Sequence, residues 1–244
     1  VWKLGGTACP VSYRLAEEEV AAIVELATPA LVVGTRHWPS SCERELIVEG
    51  PPPADLSATP LPPRSAKPGR IMSSGGSTGR PKLVVDPYAS TWGEEKAGYR
   101  RWPRCIISVA SPFYHAGPFA SVCYALSQGS HVVAMERYDP EQWLRSIAHH
   151  RVDYVYTVPT IMTRISKLDR AVVDSVDLSS IRILLHMAAP CPPETKRWWI
   201  DLLGPERVLE LYGGAERIGL TLIDGNEWLA HPGSVGKAAP GDEI

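Results

Sequence analysis

Cysteine is scarce in this sequence, and neither sign of charge predominates. The cysteines are odd in number and widely spaced, and they include no CxxC pair: Cys9, Cys42, Cys105, Cys123 and Cys191. This pattern argues against a disulfide framework and a cysteine-rich zinc site, and it favours a reducing, cytoplasmic location. The formal net charge is only -2, so the composition predicts no nucleic-acid partner.

Long apolar runs are also missing. The longest uncharged stretch, residues 105–135, is interrupted by Pro112, His115 and Gln128, and no window of about 20 residues in it stays apolar. We therefore expect a buried strand, a loop and a helix there, and no membrane span. The start at Val1 has no basic segment followed by an apolar run, so we expect no signal peptide.

Proline is abundant, and its distribution suggests how the chain is divided. There are 23 prolines, roughly twice the usual share of about 5%. Seven of them lie within residues 50–70, which predicts an extended connector. We expect residues 1–49 before it to form a first βα segment. Val20, Ile23, Val24 and Ala27 recur at helical spacing, which predicts an amphipathic helix over 15–28, and a short buried strand is predicted over 30–34. Residues 71–244 after it form the core of the chain.

Strands and helices alternate after the connector. This alternation predicts an α/β fold with a mostly parallel sheet covered by helices on both faces. Such sheets bind ligands at the carboxyl ends of their strands. The predicted strands are 70–73, 82–86, 105–110, 131–135, 154–158, 181–187 and 207–212, and the predicted helices are 118–128, 139–150, 160–168 and 193–203.

The segment from Ser73 to Lys82 carries the most chemistry. It combines glycines, hydroxyl side chains and a lysine, which together can surround a polyphosphate. It does not match a Walker loop, because two residues separate Gly79 from Lys82. It does not match the dinucleotide-binding fingerprint either, because Ser74 stands where a glycine is needed.

Two alternatives to a phosphate loop remain open for this segment. Residues 75–79 satisfy the G-x-S-x-G pattern of a serine-hydrolase elbow, with Ser77 as the nucleophile. That elbow leads from a strand directly into a helix, whereas residues 83–85 have the pattern of a strand. The other alternative is a flexible surface turn. The residues favour phosphate binding over both.

Two further loops follow apolar strands. The segment from Leu211 to Glu216 joins an aromatic ring, two glycines and a carboxylate. It can stack on a flat ring and hold a metal ion, although a β-turn with a solvated glutamate is the simpler interpretation. In residues 111–118, His115 stands beside aromatic residues, and either a structural role or a place in a pocket wall fits it.

Together these loops resemble, in order and spacing, the motifs of the adenylate-forming enzymes: acyl-CoA synthetases, firefly luciferase and peptide-synthetase adenylation domains. Residues 74–82 are similar to their phosphate loop, and residues 113–115 to their aromatic-histidine segment. Residues 188–190 are similar to the loop before their adenine pocket, and residues 212–216 to their Tyr-Gly-x-Thr-Glu signature. Residues 231–236 contain their Pro-Gly-Ser-x-Gly stretch. The nearest subgroup is that of acyl-CoA ligases such as bile-acid and steroid-acid CoA ligases.

The resemblance implies the fold of the large N-terminal domain of these enzymes, and it implies a role for each matching residue. The ATP phosphates would be bound by Ser74, Gly76, Ser77, Thr78, Gly79 and Lys82. The adenine would be bound by Ala188, Ala189, Pro190, Glu210, Leu211, Tyr212 and Gly213. The acyl group would be bound by His115, Thr157, Pro159 and Gly213. The metal ion would be held by Thr78 and Glu216, and the catalytic residues would be His115, Lys82 and Glu216.

The reaction implied by the resemblance joins a carboxylic acid to AMP and then to a thiol. The cofactors and co-substrates are ATP, Mg²⁺ and CoA, and the substrate is a fatty, aromatic or steroid-like acid. A second copy of the chain is a candidate partner. Ala215 departs from the signature, which has threonine there. The family's C-terminal lid domain would lie beyond Ile244, so we expect a piece of a longer protein that is inactive alone. A non-catalytic nucleotide- or acyl-binding remnant is the main alternative, followed by a serine hydrolase.

Overall fold

The computed structural model describes residues 1–35, 37, 42–48, 50–51, 54–55, 57, 59–74, 80–91, 104–216 and 219–239. The chain divides into two compact units, Val1–Thr91 and Trp92–Ile244. The glycine-rich residues 75–79 lie outside the described residues.

The first unit contains the predicted amphipathic helix. Helix α1 (Glu17–Ala27) begins with three glutamates in its first turn, where the helix dipole favours negative charge. Its buried side chains are Val20, Ile23 and Val24, whose spacing places them on one face. The pattern therefore predicted both the helix and its buried face correctly.

A strand also forms after this helix, but it is not buried as predicted over 30–34. Strand β1 (Val32–Gly34) pairs in parallel with β2 (Glu45–Ile47). Val33 is 56% exposed, and Leu46, its partner across the pair, is 50% exposed. The apolar composition suggested burial, but among the described residues this two-stranded sheet keeps its Val33–Leu46 face open to solvent.

The two strands predicted around the glycine-rich loop form a hairpin. Strand β3 (Ile71–Ser74) pairs antiparallel with β4 (Lys82–Val85). The described residues between 50 and 70 form no helix or strand. Ala66, in that segment, is nevertheless buried and donates its backbone N–H to the Ser90 hydroxyl at 2.8 Å. The segment around Ala66 is therefore bonded to the residues that follow β4.

The second unit is built on a sheet that has seven strands among the described residues. Its order is β11-β10-β9-β8-β7-β5-β6. The pairs from β6 to β9 are parallel, and the pairs β9–β10 and β10–β11 are antiparallel, which confirms the mostly parallel sheet. The strands are β5 (Ile106–Val109), β6 (His131–Ala134), β7 (Tyr154–Thr157), β8 (Ile183–Met187), β9 (Val208–Gly213), β10 (Leu220–Asp224) and β11 (Lys237–Ala238).

Helices cover both faces of this sheet, as predicted. They are α2 (Ala116–Ser127), α3 (Pro140–His149), α4 (Pro159–Ser166), α5 (Arg170–Asp174), α6 (Pro193–Leu203) and α7 (Gly225–Ala230). One face, which includes Val155 and Leu184, packs against α3, α4 and α6, where Trp143 and Trp199 are fully buried. The opposite face packs against α2 through Val122. Each strand of the parallel part therefore ends between two helical layers.

The uncharged stretch and the cysteines also behave as predicted. Residues 105–135 form β5, α2 and β6, and no helix in the described part of the chain is long and apolar enough to cross a membrane. All five cysteines are free thiols.

Candidate functional site

In the first unit, the predicted phosphate-binding residues that the structure describes lie at the end of the β3–β4 hairpin. Ser74 and Lys82 are partners across the two strands, and Lys82 is exposed. The other predicted phosphate ligands lie outside the described residues: Gly76, Ser77, Thr78 and Gly79. A strand follows the loop, whereas a serine-hydrolase elbow requires a helix there. The hairpin therefore disfavours the hydrolase interpretation.

In the second unit, the predicted adenine-binding residues lie at the carboxyl ends of two neighbouring strands. Met187 of β8 is the partner of Leu211 of β9, so the segments that follow them begin side by side. The first of these segments, Ala188–Pro190, is exposed, and Ala188 has a positive φ of 78°. On the other strand, the Tyr212 side chain is 62% exposed. A planar base can reach the exposed ring from solvent.

Two of the predicted adenine-binding residues present no side chain to this surface. Leu211 and Glu210 are buried. The Glu210 carboxylate accepts a hydrogen bond from the Lys196 ammonium group at 2.5 Å. Any contact that Leu211 and Glu210 make with a base at the exposed end of β9 therefore comes from their backbone.

Glu216 lies in the turn after β9. Of the two predicted metal ligands, it is the one that the structure describes. Its side chain is exposed and folds back over the turn, since a Cβ placed on Gly214 would lie 2.7 Å from its Oε2 atom. The described residues contain no group of three or more His, Cys, Asp or Glu that could hold a metal. A single carboxylate fits Mg²⁺, which binds one or two carboxylates together with phosphate oxygens and water. The other predicted metal ligand, Thr78, lies outside the described residues.

His115 stands at the start of α2, after the carboxyl end of β5. It is the N-cap residue of the helix, and its ring centre lies 4.7 Å from that of Tyr114. The ring is only partly exposed, and its partial burial lowers the pKa of His115 below its usual value. The imidazole is therefore neutral near pH 7.

Gly117, two residues after His115, packs tightly against the sheet. A Cβ placed on Gly117 would overlap the Tyr156 hydroxyl and lie 3.2 Å from the Met187 sulfur.

The remaining predicted acyl-pocket residues lie at the end of β7. Thr157 is the last residue of the strand, and Pro159 opens α4. The Thr157 hydroxyl is buried and has no hydrogen-bond partner among the described residues. The hydroxyl of Ser111, which follows β5, is in the same situation. A buried hydroxyl without a partner costs free energy, so a polar partner at either atom would be favourable.

A row of polar side chains crosses the sheet just inside these loops, and the sequence motifs identify only part of it. Thr157, His186 and Glu210 are in-register partners on β7, β8 and β9. His186 is fully buried, and its Nε2 atom lies 3.9 Å from Glu210 Oε2. Burial, reinforced by the nearby Lys196 charge, lowers the pKa of His186 to about 3. His186 is therefore neutral.

Lys196 completes this polar row from helix α6, and the motifs missed it. It is fully buried. Burial lowers its pKa, and the hydrogen bond to Glu210 acts in the opposite direction. The sequence did contain a signal: Trp199, Ile200 and Leu203 follow Lys196 at helical spacing, so the lysine occupies a position of the apolar stripe. His186 gives a similar signal as a polar residue inside an apolar strand.

Known proteins resemble this chain in sequence. The family described as "AMP-binding enzyme" matches residues 1–244. The luciferin 4-monooxygenase of Photinus pyralis is 29% identical over 179 residues, which are 70% of this chain and 32% of that protein. A feruloyl-CoA synthase of Amycolatopsis sp is 32% identical over 140 residues, which are 54% of this chain and 27% of that protein.

A solved structure shows the same fold. The N-terminal domain of FACL13 from Mycobacterium tuberculosis matches 97% of this chain and 64% of that chain, with a TM-score of 0.70. The identity is 19%, so this likeness concerns the fold alone. The matched part of this chain spans about a third or less of the two curated relatives.

Proposed function

Because this chain belongs to the AMP-binding enzyme family, we propose that it activates a carboxylic acid with ATP and passes the acyl group to CoA. The observation that carries the proposal is the family match over all 244 residues. The relative named feruloyl-CoA synthase supports CoA as the acceptor.

The proposed reaction has two steps. In the first, a carboxylate oxygen attacks the α-phosphorus of ATP, the bond to pyrophosphate breaks, and an acyl-adenylate forms. In the second, the CoA sulfur attacks the acyl carbon, AMP leaves, and the thiol proton passes to solvent. The first step requires little covalent chemistry from the protein, since positioning and charge neutralisation dominate such transfers.

The residues then take the following roles. Lys82 and the loop at 75–79 bind the phosphates, and Glu216 holds Mg²⁺, which neutralises phosphate charge when bound. The ring of Tyr212 stacks on adenine, beside the exposed Ala188–Pro190 segment. The neutral imidazole of His115 and the unpartnered Thr157 hydroxyl face the acid, where either can hydrogen-bond a carboxylate or carbonyl oxygen.

Acid-dependent exchange of labelled pyrophosphate into ATP tests this function. The full-length protein is incubated with Mg²⁺ and a panel of fatty, aromatic and steroid acids that includes ferulic acid. We expect exchange with at least one acid and, after addition of CoA, the corresponding thioester. ATP binding without exchange for any acid would favour the non-catalytic alternative, to which Ala215 points because it removes one hydroxyl from the signature. The cytoplasmic location and the homodimer stay predictions.

A further inference from the structure

Lys196 is a charged side chain in a position that normally takes an apolar one. Its ammonium group donates a hydrogen bond to Glu210 Oε2 at 2.5 Å and lies 4.8 Å from the ring centre of Trp228. These contacts connect three elements: α6 carries the lysine, β9 carries the glutamate and α7 carries the tryptophan. The proposed function gives Lys196 no task.

Stability alone does not explain a lysine at this position. Removing two charges from water costs about as much as their attraction returns, so an apolar pair of similar volume is often at least as stable. What an ion pair adds is direction, because the hydrogen bond fixes where each partner lies. Among the described residues within 4.0 Å of the Glu210 carboxylate, Lys196 is the one charged partner, since His186 is neutral.

The position that this pair fixes is the end of β9. Glu210 and Tyr212 are two residues apart on the strand, so their side chains leave it on the same face. The backbone of β9 is also paired on both sides there, with Met187 opposite Leu211 on β8 and Thr221 opposite Tyr212 on β10. Holding Glu210 against α6 therefore sets how the following two residues leave the buried part of the sheet.

We infer that Lys196 is a positioning residue for nucleotide binding: through its ion pair with Glu210, it orients the end of β9 so that the Tyr212 ring stacks on adenine. The inference rests on the proposed role of Tyr212, and it adds a residue that lies in the helix layer and touches no ligand. Lys196 acts on the affinity for ATP through β9, and it takes no part in the chemical steps.

A double substitution separates positioning from stability. Lys196→Met with Glu210→Met replaces the pair by apolar side chains of similar volume, and such a protein is expected to fold. In the full-length protein we expect its KM for ATP to rise about fivefold to a hundredfold, the range typical of lost base stacking. We expect kcat to change little, because stacking holds substrate and transition state equally. A folded double variant with the wild-type KM for ATP would overturn the inference.

The single substitution Lys196→Met tests the same pair from one side. It leaves the buried Glu210 carboxylate without its cation, which is more costly than replacing both partners. We expect the KM for ATP of this variant to rise at least as much as that of the double variant. A change confined to kcat in either variant, with the wild-type KM for ATP, would contradict the inference.

Lys237→Met is the matched control. Lys237 is exposed and pairs with Glu227 of α7 at 3.6 Å. The same substitution therefore removes a lysine–glutamate pair at the surface of α7, the helix that carries Trp228. We expect the wild-type KM for ATP in this variant, and an increase equal to that of the double variant would count against the inference. If the wild-type protein itself does not use ATP, the proposed function fails, which is a separate outcome.

Discussion

Tyr212 is the side chain on which the proposed nucleotide site depends most. Its exposed ring follows the buried Leu211 at the end of β9. Tyr212→Ala should weaken ATP binding by about 1–3 kcal/mol, the usual value of one base–aromatic stack, and Tyr212→Phe should keep most of it. The KM for ATP in pyrophosphate exchange measures both. Tyr13→Ala is the control, because Tyr13 is 61% exposed and has no proposed role. An equal effect of the two alanine substitutions would contradict the site.

Ser77 distinguishes a phosphate loop from a hydrolase. As one hydroxyl among several phosphate donors, it should contribute about 1–3 kcal/mol, so Ser77→Ala should reduce ATP use modestly. A nucleophilic serine would be essential, and its loss would cost several orders of magnitude in rate. Thioester formation and ester cleavage are measured side by side. The phosphate assignment fails if the variant retains full ligase activity and loses an ester-cleaving activity.

Single residues also show what the sequence could not predict. The motif placed Glu210 among the adenine-binding residues, but it could not show that its carboxylate is buried against Lys196. Lys196 and Glu210 are 14 positions apart in the sequence, one on a helix and the other on a strand. Their contact depends on how α6 packs against the sheet. Lys196 was detectable only as a charge within an apolar stripe. The sequence did predict that Tyr212 lies at the end of a strand, since the strand predicted over 207–212 is observed as Val208–Gly213.

At the scale of elements, helix α2, which begins directly after His115, lies close against strand β7. A Cβ on Gly117 would overlap the Tyr156 hydroxyl. Gly117→Ala should therefore destabilise the protein by about 1–3 kcal/mol, as overpacking of a core does. Thermal unfolding measures the loss. Combining it with Tyr156→Phe removes the overlapping oxygen and should restore part of the stability, with Tyr156→Phe alone as the control. Additive losses in the double variant would show that the overlap is not the cause.

The elements predicted correctly are those with local signals. Helix α3 was predicted over 139–150, where Asp139 and Pro140 form a typical helix start, and the structure shows the Asp139 carboxylate accepting the Gln142 N–H at 2.9 Å. Strands β2 and β11 were missed because they have three and two residues, too few for a period. Strand β10 and helix α7 were missed as well. The helix begins at Gly225, directly after the strand ends at Asp224, so no turn segment separates the two elements. The pairing of β10 with β9 is set by tertiary contacts.

At the scale of the whole molecule, the order of the motifs predicted more than any one of them did. Alternating strands and helices indicated the mostly parallel sheet, and the family match over residues 1–244 confirmed the superfamily. The identity of the proposed acid substrate was beyond the sequence, because in the proposed site it depends on how side chains such as Thr157 and His115 shape a pocket. Those positions follow from packing between strands that lie far apart along the chain.

The fate of a carboxylate oxygen is the most direct measurement of the proposed reaction. The full-length protein is incubated with ATP, Mg²⁺, CoA and an active acid whose carboxylate carries heavy oxygen, and the products are weighed by mass spectrometry. Attack of the carboxylate on the α-phosphorus transfers one labelled oxygen to AMP when the thioester forms. We predict labelled AMP in an amount equal to the thioester. Thioester formation with unlabelled AMP, or with the label in inorganic phosphate, would contradict activation through an acyl-adenylate.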